Sequence, residues 1–236
     1  MNQTRTSSSP ISEIKFSLTA VESGVIRDWA RRELAPDPIA QLDPDECYRT
    51  SSLYFDTPRF DVLRRQGSYA RSKYRVRQYG HGGDLFLERK MKNSGLVRKW
   101  RCVVPQEELS LLSGNEGPLW SGHWFRRRLC ARALGPVCEI SYRRLARVGL
   151  DETGHPIRLT LDDHLKAARV DRIAFAEPQL ASALTHIPAI LELKYHRELP
   201  AVFARLIQEF GLVPRAVSKY RSAAVALGYG ARIAHA

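Results

Sequence analysis

The chain has 236 residues, 44% of them hydrophobic, and carries a formal net charge of +12. That suffices for one large domain or two small ones with a core, and the surplus of cations points to a polyanionic partner: nucleic acid, anionic lipid or a phosphate-rich small molecule. No apolar run approaches the roughly 18 residues of a membrane span, and no signal-peptide core opens the chain.

The four cysteines (Cys47, Cys102, Cys130 and Cys138) form no CxxC pair and have no histidine at zinc spacing. Structural thiols in a reduced, cytoplasmic setting are the expectation. Residues 1–10, MNQTRTSSSP, are polar and read as a disordered tail. Ser12 to Leu18 alternates as a short strand, with Glu13 and Lys15 on one face and Ile14, Phe16 and Leu18 on the other. Thr19 or Ser23 can cap a helix running to about Leu34, with Val21, Val25, Ile26, Trp29 and Leu34 as its apolar stripe. Three prolines mark residues 35–46 as a connection. Cys47 to Pro58 predicts a second strand, where Asp56 and Thr57 shape the closing turn, and residues 59–69 read as a short edge segment.

Arg71 to Val104 has the pattern of an antiparallel β-meander. RSKYRVRQYG, an HGGD turn, LFLERKMK, an NSG turn and LVRKWRCVV follow one another. Lys73, Arg75 and Arg77 share one face of the first strand, opposite Tyr74 and Val76. Glu88 and Lys90 share a face of the second, opposite Leu85 and Leu87. Lys99 and Arg101 point one way on the third, with Val97 in phase. Beyond Pro105, EELSLL and residues 119–134 read as helices, and the Arg126–Arg127–Arg128 cluster on the latter reads as a solvated face.

Strands then resume. Val137 to Leu150 groups Glu139, Ser141 and Arg143; Ile157 to Val170 groups Arg158, Thr160 and Asp162; Ala189 to Arg197 groups Ile190, Glu192 and Lys194. Leu199 to Phe210 is an amphipathic helix, and a last helix from about Ser218 to Leu227 has Ser218 and Lys219 at its start. The fold class expected is mainly β (α+β): a single domain over residues 11–228 with a C-terminal tail from 229 to 236. About eight antiparallel strands would close into a barrel or tunnel with flanking helices.

Lys15, Arg75, Arg77, Lys90, Lys99, Arg143, Arg158 and Lys194 are cations on seven strands, and Glu13, Glu88, Glu139, Asp162 and Glu192 are carboxylates in phase with them. An open sheet with that face could bind RNA or DNA, but its carboxylates would repel the same phosphates. Inside a closed barrel, the charges persist only if hydrated and balanced. The surplus of cations calls for an anion, and the carboxylates offer oxygen ligands to a divalent metal that escorts it. Polyphosphate with Mg²⁺ or Mn²⁺ meets both demands.

EIKF, SLYFDTP, KYRVRQYG, LFLERKMK, YRR, IRLTLDDHL, ILELKY and VSKY occur in an order that resembles the VTC domain, from about Ser12 to Ala226. That is the catalytic domain of vacuolar-transporter-chaperone polyphosphate polymerases, within the triphosphate tunnel metalloenzyme superfamily. SLYFDTP and the ILELKY and SKY pair are its most specific pieces. The resemblance implies an eight-stranded tunnel in which the γ-phosphate of ATP is added to a polyphosphate chain with a divalent metal. By position, Arg75 and Arg77 match the RxR pair that holds phosphates, Lys90 the lysine of ERK, and Arg158 the arginine before TLD. Arg143 matches a YxR-like arginine, with Tyr142 immediately before it, which leaves the register open by one. Lys15, Lys99, Lys194, Ser218 and Lys219 match further phosphate-binding positions, and Glu192 the metal-binding glutamate.

Ile11 stands where the wider superfamily often has the first glutamate of ExExK, a departure from the adenylate-cyclase and thiamine-triphosphatase branch. For Glu13, Glu88 and Asp162, a salt-bridge role is favoured over metal binding. Three function classes follow. The first is a metal-dependent polymerase-like phosphotransferase or a triphosphate hydrolase acting on ATP or another triphosphate. The second is a non-catalytic polyphosphate-binding module. A nucleic-acid-binding β-domain is the third and least favoured, so no nucleic-acid partner is expected. A membrane-protein partner stays open.

Overall fold

The computed structural model describes residues 11–40, 43–80, 82–93 and 96–229, without the side chains of residues 92, 93, 96 and 97. The tail expected at 1–10, residues 230–236 of the tail expected from 229, His81 of the glycine turn and the phase of Val97 lie outside this set, while Tyr229 is described and buried. In chain order the strands are β1 (Ile11–Leu18), β2 (Ala35–Pro36), β3 (Cys47–Asp56), β4 (Ser72–Tyr79), β5 (Leu85–Asn93), β6 (Leu96–Val104), β7 (Gly135–Leu150), β8 (Pro156–Arg169), β9 (Ser182–Ala183) and β10 (Ala189–His196). Eight of them form one antiparallel path in the order β1-β10-β8-β7-β3-β4-β5-β6, while β2 and β9 are two-residue additions to β7 and β8.

The meander predicted from the turn signals is β4-β5-β6. The closed tunnel is corrected: the sheet curls into an open half-barrel, and among the described residues no ladder joins β1 to β6. Side chains span the gap instead, since Lys90 of β5 reaches Glu13 of β1 at 3.4 Å. Charges on long, hydrated stems can bridge a seam that backbone hydrogen bonds cannot.

Period-two alternation decides what lies on each side of the wall. On the outer face, α1 (Ala20–Glu33) and α4 (Ala201–Glu209) cover one half of the sheet. Phe16, Leu18, Leu159, Leu161, Leu191 and Leu193 pack there with Ile26, Trp29, Phe203 and Leu206. Thr19 caps α1 through a reciprocal pair with Glu22, one of the two caps expected. The other half is covered by α3 (His123–Ala131), whose Phe125 and Leu129 pack with Tyr74, Val76, Leu85 and Leu87.

Residues 59–69 are not the edge segment expected. They form the short helix α2 (Asp61–Arg64) and a 3₁₀ turn, Gly67–Tyr69. The cause is Asp56, whose carboxylate accepts from the backbone N–H groups of Thr57, Val62 and Leu63 at 2.7–2.9 Å and pulls the chain into a helical turn. EELSLL is likewise part of a 3₁₀ helix, Gln106–Ser113.

The last helix, α5 (Lys219–Ala226), is tied to the sheet rather than laid over it. Tyr220 donates its hydroxyl to Asp56 at 2.6 Å and stacks on Tyr54 with ring centroids 5.2 Å apart. Tyr54, Ile140, Ile190, Tyr220, Ala223 and Ala224 belong to one buried cluster. Asp56, 1% exposed, therefore joins the end of β3, the start of α2 and α5. Replacing Asp56→Ala strands four donors and is expected to cost about 3 kcal/mol. Urea unfolding of the purified variant measures it; an unchanged midpoint would show that water replaces the carboxylate.

Candidate functional site

Glu88 is the centre of the inner face. It is 1% exposed, and three cations from two neighbouring strands reach it. Arg75 of β4 donates Nε–H at 2.6 Å, Lys99 of β6 lies at 2.6 Å, and Arg101 of β6 donates Nε–H at 2.7 Å. The register explains the convergence, because Arg75, Glu88 and Arg101 are direct cross-strand partners on one face. Burial opposes ionisation of Glu88, but Arg75, Arg77, Lys99 and Arg101 outweigh it and hold its carboxyl far below the usual carboxylate range.

A second group forms across β1 and β10. Lys15 contacts Glu13 at 2.8 Å and Glu192 at 3.0 Å, and Lys194 contacts Glu192 at 2.7 Å. Burial works against Glu192 as an anion, yet Lys194, Lys15, Lys219 and Arg144 keep it ionised. A third group joins β7, β8 and α5. Arg144 grips Asp162 with a fork at 2.6 and 2.7 Å, and Lys219 reaches the same carboxylate at 2.6 Å. Ser218 caps α5 and accepts from Lys73 at 3.1 Å. Arg77 donates to Ser52 at 3.0 Å and to the Tyr142 hydroxyl at 3.1 Å. Arg158 reaches Asp37 at 2.9 Å and the Tyr48 hydroxyl at 3.1 Å.

The inner face holds more cations than carboxylates, and the lysines register it. Burial, with Lys15, Lys90 and Arg75 nearby, pushes Lys73 down to about 8. Burial lowers Lys99 to about 8 as well, with Arg101 and Arg75 adding to the fall, although Glu88, which all three share, opposes it. Tyr54, buried among Arg75, Arg77 and Lys73, titrates at about 8, as the cations overcome its desolvation. A polyanion would relieve all three.

Of the residues singled out from sequence, Lys15, Arg75, Arg77, Lys90, Lys99, Arg158, Glu192, Lys194, Ser218 and Lys219 lie on this face or at its α5 border. Arg143 does not join them. It pairs with Asp163 at 3.1 Å, a carboxylate that also takes Arg27 of α1 on the outer wall. The register shifts between Ser141 and Arg143, where β8 sets two residues, His164 and Leu165, against Tyr142 alone. His164 adopts φ 50° at this bulge. The extra residue belongs to β8, whereas β7 alternates unbroken with Ile140 opposite Ser52 and Arg144 opposite Asp162. The other face of β7 is therefore the inner one, with Glu139, Ser141 and Arg143 outward and Ile140, Tyr142 and Arg144 inward. Glu139 instead accepts from the Ala176 backbone N–H at 2.6 Å.

Lys73 and Arg101 also lie on this face, where the resemblance assigns them no role. Asp37 sits in a proline-rich loop where no alternation could reveal it. A cavity of about 670 Å³ opens on the outer wall near Arg49, Arg143, His164 and Lys166, but Asp43 and Asp45 also line it and offset its cations. The candidate site is the inner face.

The VTC domain family matches residues 11–227. None of the curated proteins matches the chain. Among solved structures, it is similar to a putative adenylate cyclase from Bacillus halodurans at 12% identity and TM-score 0.55, over 89% of this chain and 95% of that one. It is also similar to a putative adenylyl cyclase from Hippeastrum, described as having a dominant triphosphatase activity, at 15% identity and TM-score 0.52, over 92% and 95%. A protein from Pyrococcus horikoshii aligns at 12% identity and TM-score 0.50, over 93% and 99%. At these identities the likeness speaks to the fold. The family match spans nearly all of the described chain and every inner-face residue above: this protein belongs to the VTC domain family of the triphosphate tunnel metalloenzyme superfamily.

Proposed function

We propose that the inner face binds a linear triphosphate or polyphosphate and catalyses metal-dependent transfer of a terminal phosphoryl group to water. The observation that carries this reading is the surplus of converging cations around Glu88, with Lys73 and Lys99 lowered to about 8 by burial and by the cations beside them. Phosphoryl transfer asks mainly for positioning and charge neutralisation. Arg75, Arg77, Arg144 and Arg158 supply planar forks for non-bridging oxygens, while Lys15, Lys73, Lys90, Lys99, Lys194 and Lys219 supply point charges. Glu88 and Asp162 hold the arginines in place before substrate arrives, so little reorganisation is needed on binding.

A divalent cation, Mg²⁺ or Mn²⁺, is associated with the superfamily. Glu192 and Glu13 fit it, because both reach Lys15 and so lie close together. Among the described residues no group of three His, Cys, Asp or Glu side chains gathers. A metal that arrives with phosphates needs only one or two carboxylates, the remaining ligands being phosphate oxygens and water. Bound there, it would neutralise developing charge on the phosphate oxygens.

Water as acceptor agrees with the triphosphatase activity named for the Hippeastrum protein. Chain elongation is the second reading, favoured by the match to the VTC domain, whose polymerases pass the γ-phosphate of ATP to a growing chain. One assay separates them: incubation with ATP or tripolyphosphate and Mn²⁺, with products resolved by chain length. Released phosphate without longer chains supports hydrolysis, polymer growth supports elongation, and unchanged substrate leaves only binding.

Three further outcomes are expected. Arg75→Ala or Arg77→Ala lowers kcat/KM on the order of a hundredfold or more, as loss of a transition-state charge contact does. Arg144→Ala does the same, whereas Arg143→Ala changes kcat/KM by only about twofold, because its guanidinium lies on the other side of the wall. Binding of tripolyphosphate raises the depressed lysines, so it takes up about one proton near pH 8 and weakens as pH rises toward about 9.5. Calorimetry in two buffers of different ionisation enthalpy reads that uptake; proton release would contradict the assignment.

A further inference from the structure

The Arg126–Arg127–Arg128 cluster read from sequence as a solvated face belongs to α3, which packs on the outside of the sheet opposite the candidate site. Beneath it, Arg89 of β5 lies between the inward residues Glu88 and Lys90, so its own side chain is on the outer face. Its guanidinium lies over the Trp100 ring at 5.0 Å and the Tyr74 ring at 5.6 Å. The hydrogen bond its donors make is to the Met91 sulfur at 3.4 Å, and its Nε is buried without a partner. Arg132, one helical turn after Arg128, lies over the Tyr69 ring at 4.1 Å and donates to Ser68 at 2.9 Å. Its Nε is also buried and unpartnered.

On the inner face every cation named above has a carboxylate or hydroxyl partner. Among the described residues no salt bridge reaches Arg89, Arg128 or Arg132. Burial lowers the Arg89 pKa, Tyr74 opposes the fall, and Arg128 and Arg132 add to it. The carboxyl end of α3 favours cations, which accounts for Arg128 and Arg132. It does not account for a half-buried third arginine close enough to feel the charge of both.

We propose that Arg89, Arg128 and Arg132 form a second phosphate site on the outer wall, which holds the trailing length of an inorganic polyphosphate whose end occupies the inner face. The proposal rests on the inner-face reading above and narrows its substrate to long chains. Each stacked guanidinium spends its face on a ring and keeps its N–H edge for oxygens, the geometry that suits phosphate. The Tyr74 ring is buried, and the Trp100 and Tyr69 rings each carry a guanidinium, which leaves little platform for nucleobases and argues against single-stranded nucleic acid. Position supports continuity. β6 is the open edge of the sheet, with Lys99 and Arg101 on its inner side and Arg98, exposed, on its outer side. A phosphate chain that leaves the inner face over this edge meets cations on both sides.

The test compares tripolyphosphate with polyphosphate of about a hundred units, using binding to wild type and to an Arg128→Gln, Arg132→Gln double variant over a salt series. The expected result is a loss of about tenfold in affinity for the long chain, a shallower salt dependence, and no change for tripolyphosphate. Arg89→Lys, which keeps the charge but not the fork, should lower long-chain affinity alone. Equal affinity of the double variant for long chains overturns the proposal. So does a selective loss for single-stranded RNA or anionic vesicles with polyphosphate binding intact. Failure of the inner-face reading looks different: Arg75→Ala with Arg77→Ala would then leave tripolyphosphate binding unchanged.

Discussion

The buried carboxylate of Glu88 is the constraint on which the binding face depends. A lone anion at 1% exposure would be expelled or protonated; here Arg75, Lys99 and Arg101 surround it. The exchange works in both directions. Without Glu88, three cations on adjacent strands would repel one another across the sheet. With it, they are held in register but remain under-neutralised. Rigidity and appetite for anions thus come from a single side chain.

The same arrangement recurs at lower intensity around the curve of the sheet. Glu192 orders Lys15 and Lys194, and Asp162 orders Arg144 and Lys219. In each case a carboxylate takes more than one cation, so positive charge accumulates inward while the aliphatic side of the same strands packs on α1, α3 and α4. The wall separates a charged face from a mainly apolar one.

Much of this was legible in the chain. Strict alternation in KYRVRQ and LFLERK assigns Arg75, Arg77 and Glu88 to one face, and the glycine turns place them side by side. What alternation cannot carry is an inserted residue. At Tyr142 the inserted residue belongs to β8, which changes phase between Asp163 and Leu165, while β7 alternates unbroken with polar residues on both faces, so its own pattern does not say that Arg144 rather than Arg143 points inward. Closure was also beyond reach, because hydrophobic pattern fixes which side is buried but not whether the first and last strands in the sheet meet. Helix α2 escaped for a third reason. Its signal is Asp56, a side chain that acts on N–H groups six and seven positions later.

One feature of the topology bears on how the protein comes to be. β1 pairs along its whole length with β10, and Tyr220 bonds to Asp56 across 164 positions of chain. Loops that long close late, so such contacts slow folding and delay it until the chain has been made as far as Tyr220. A growing chain on the ribosome therefore carries the arginines of the meander well before it has a pocket for them. Their capacity for phosphate in that interval is unshaped, and RNA is the polyanion nearest to hand.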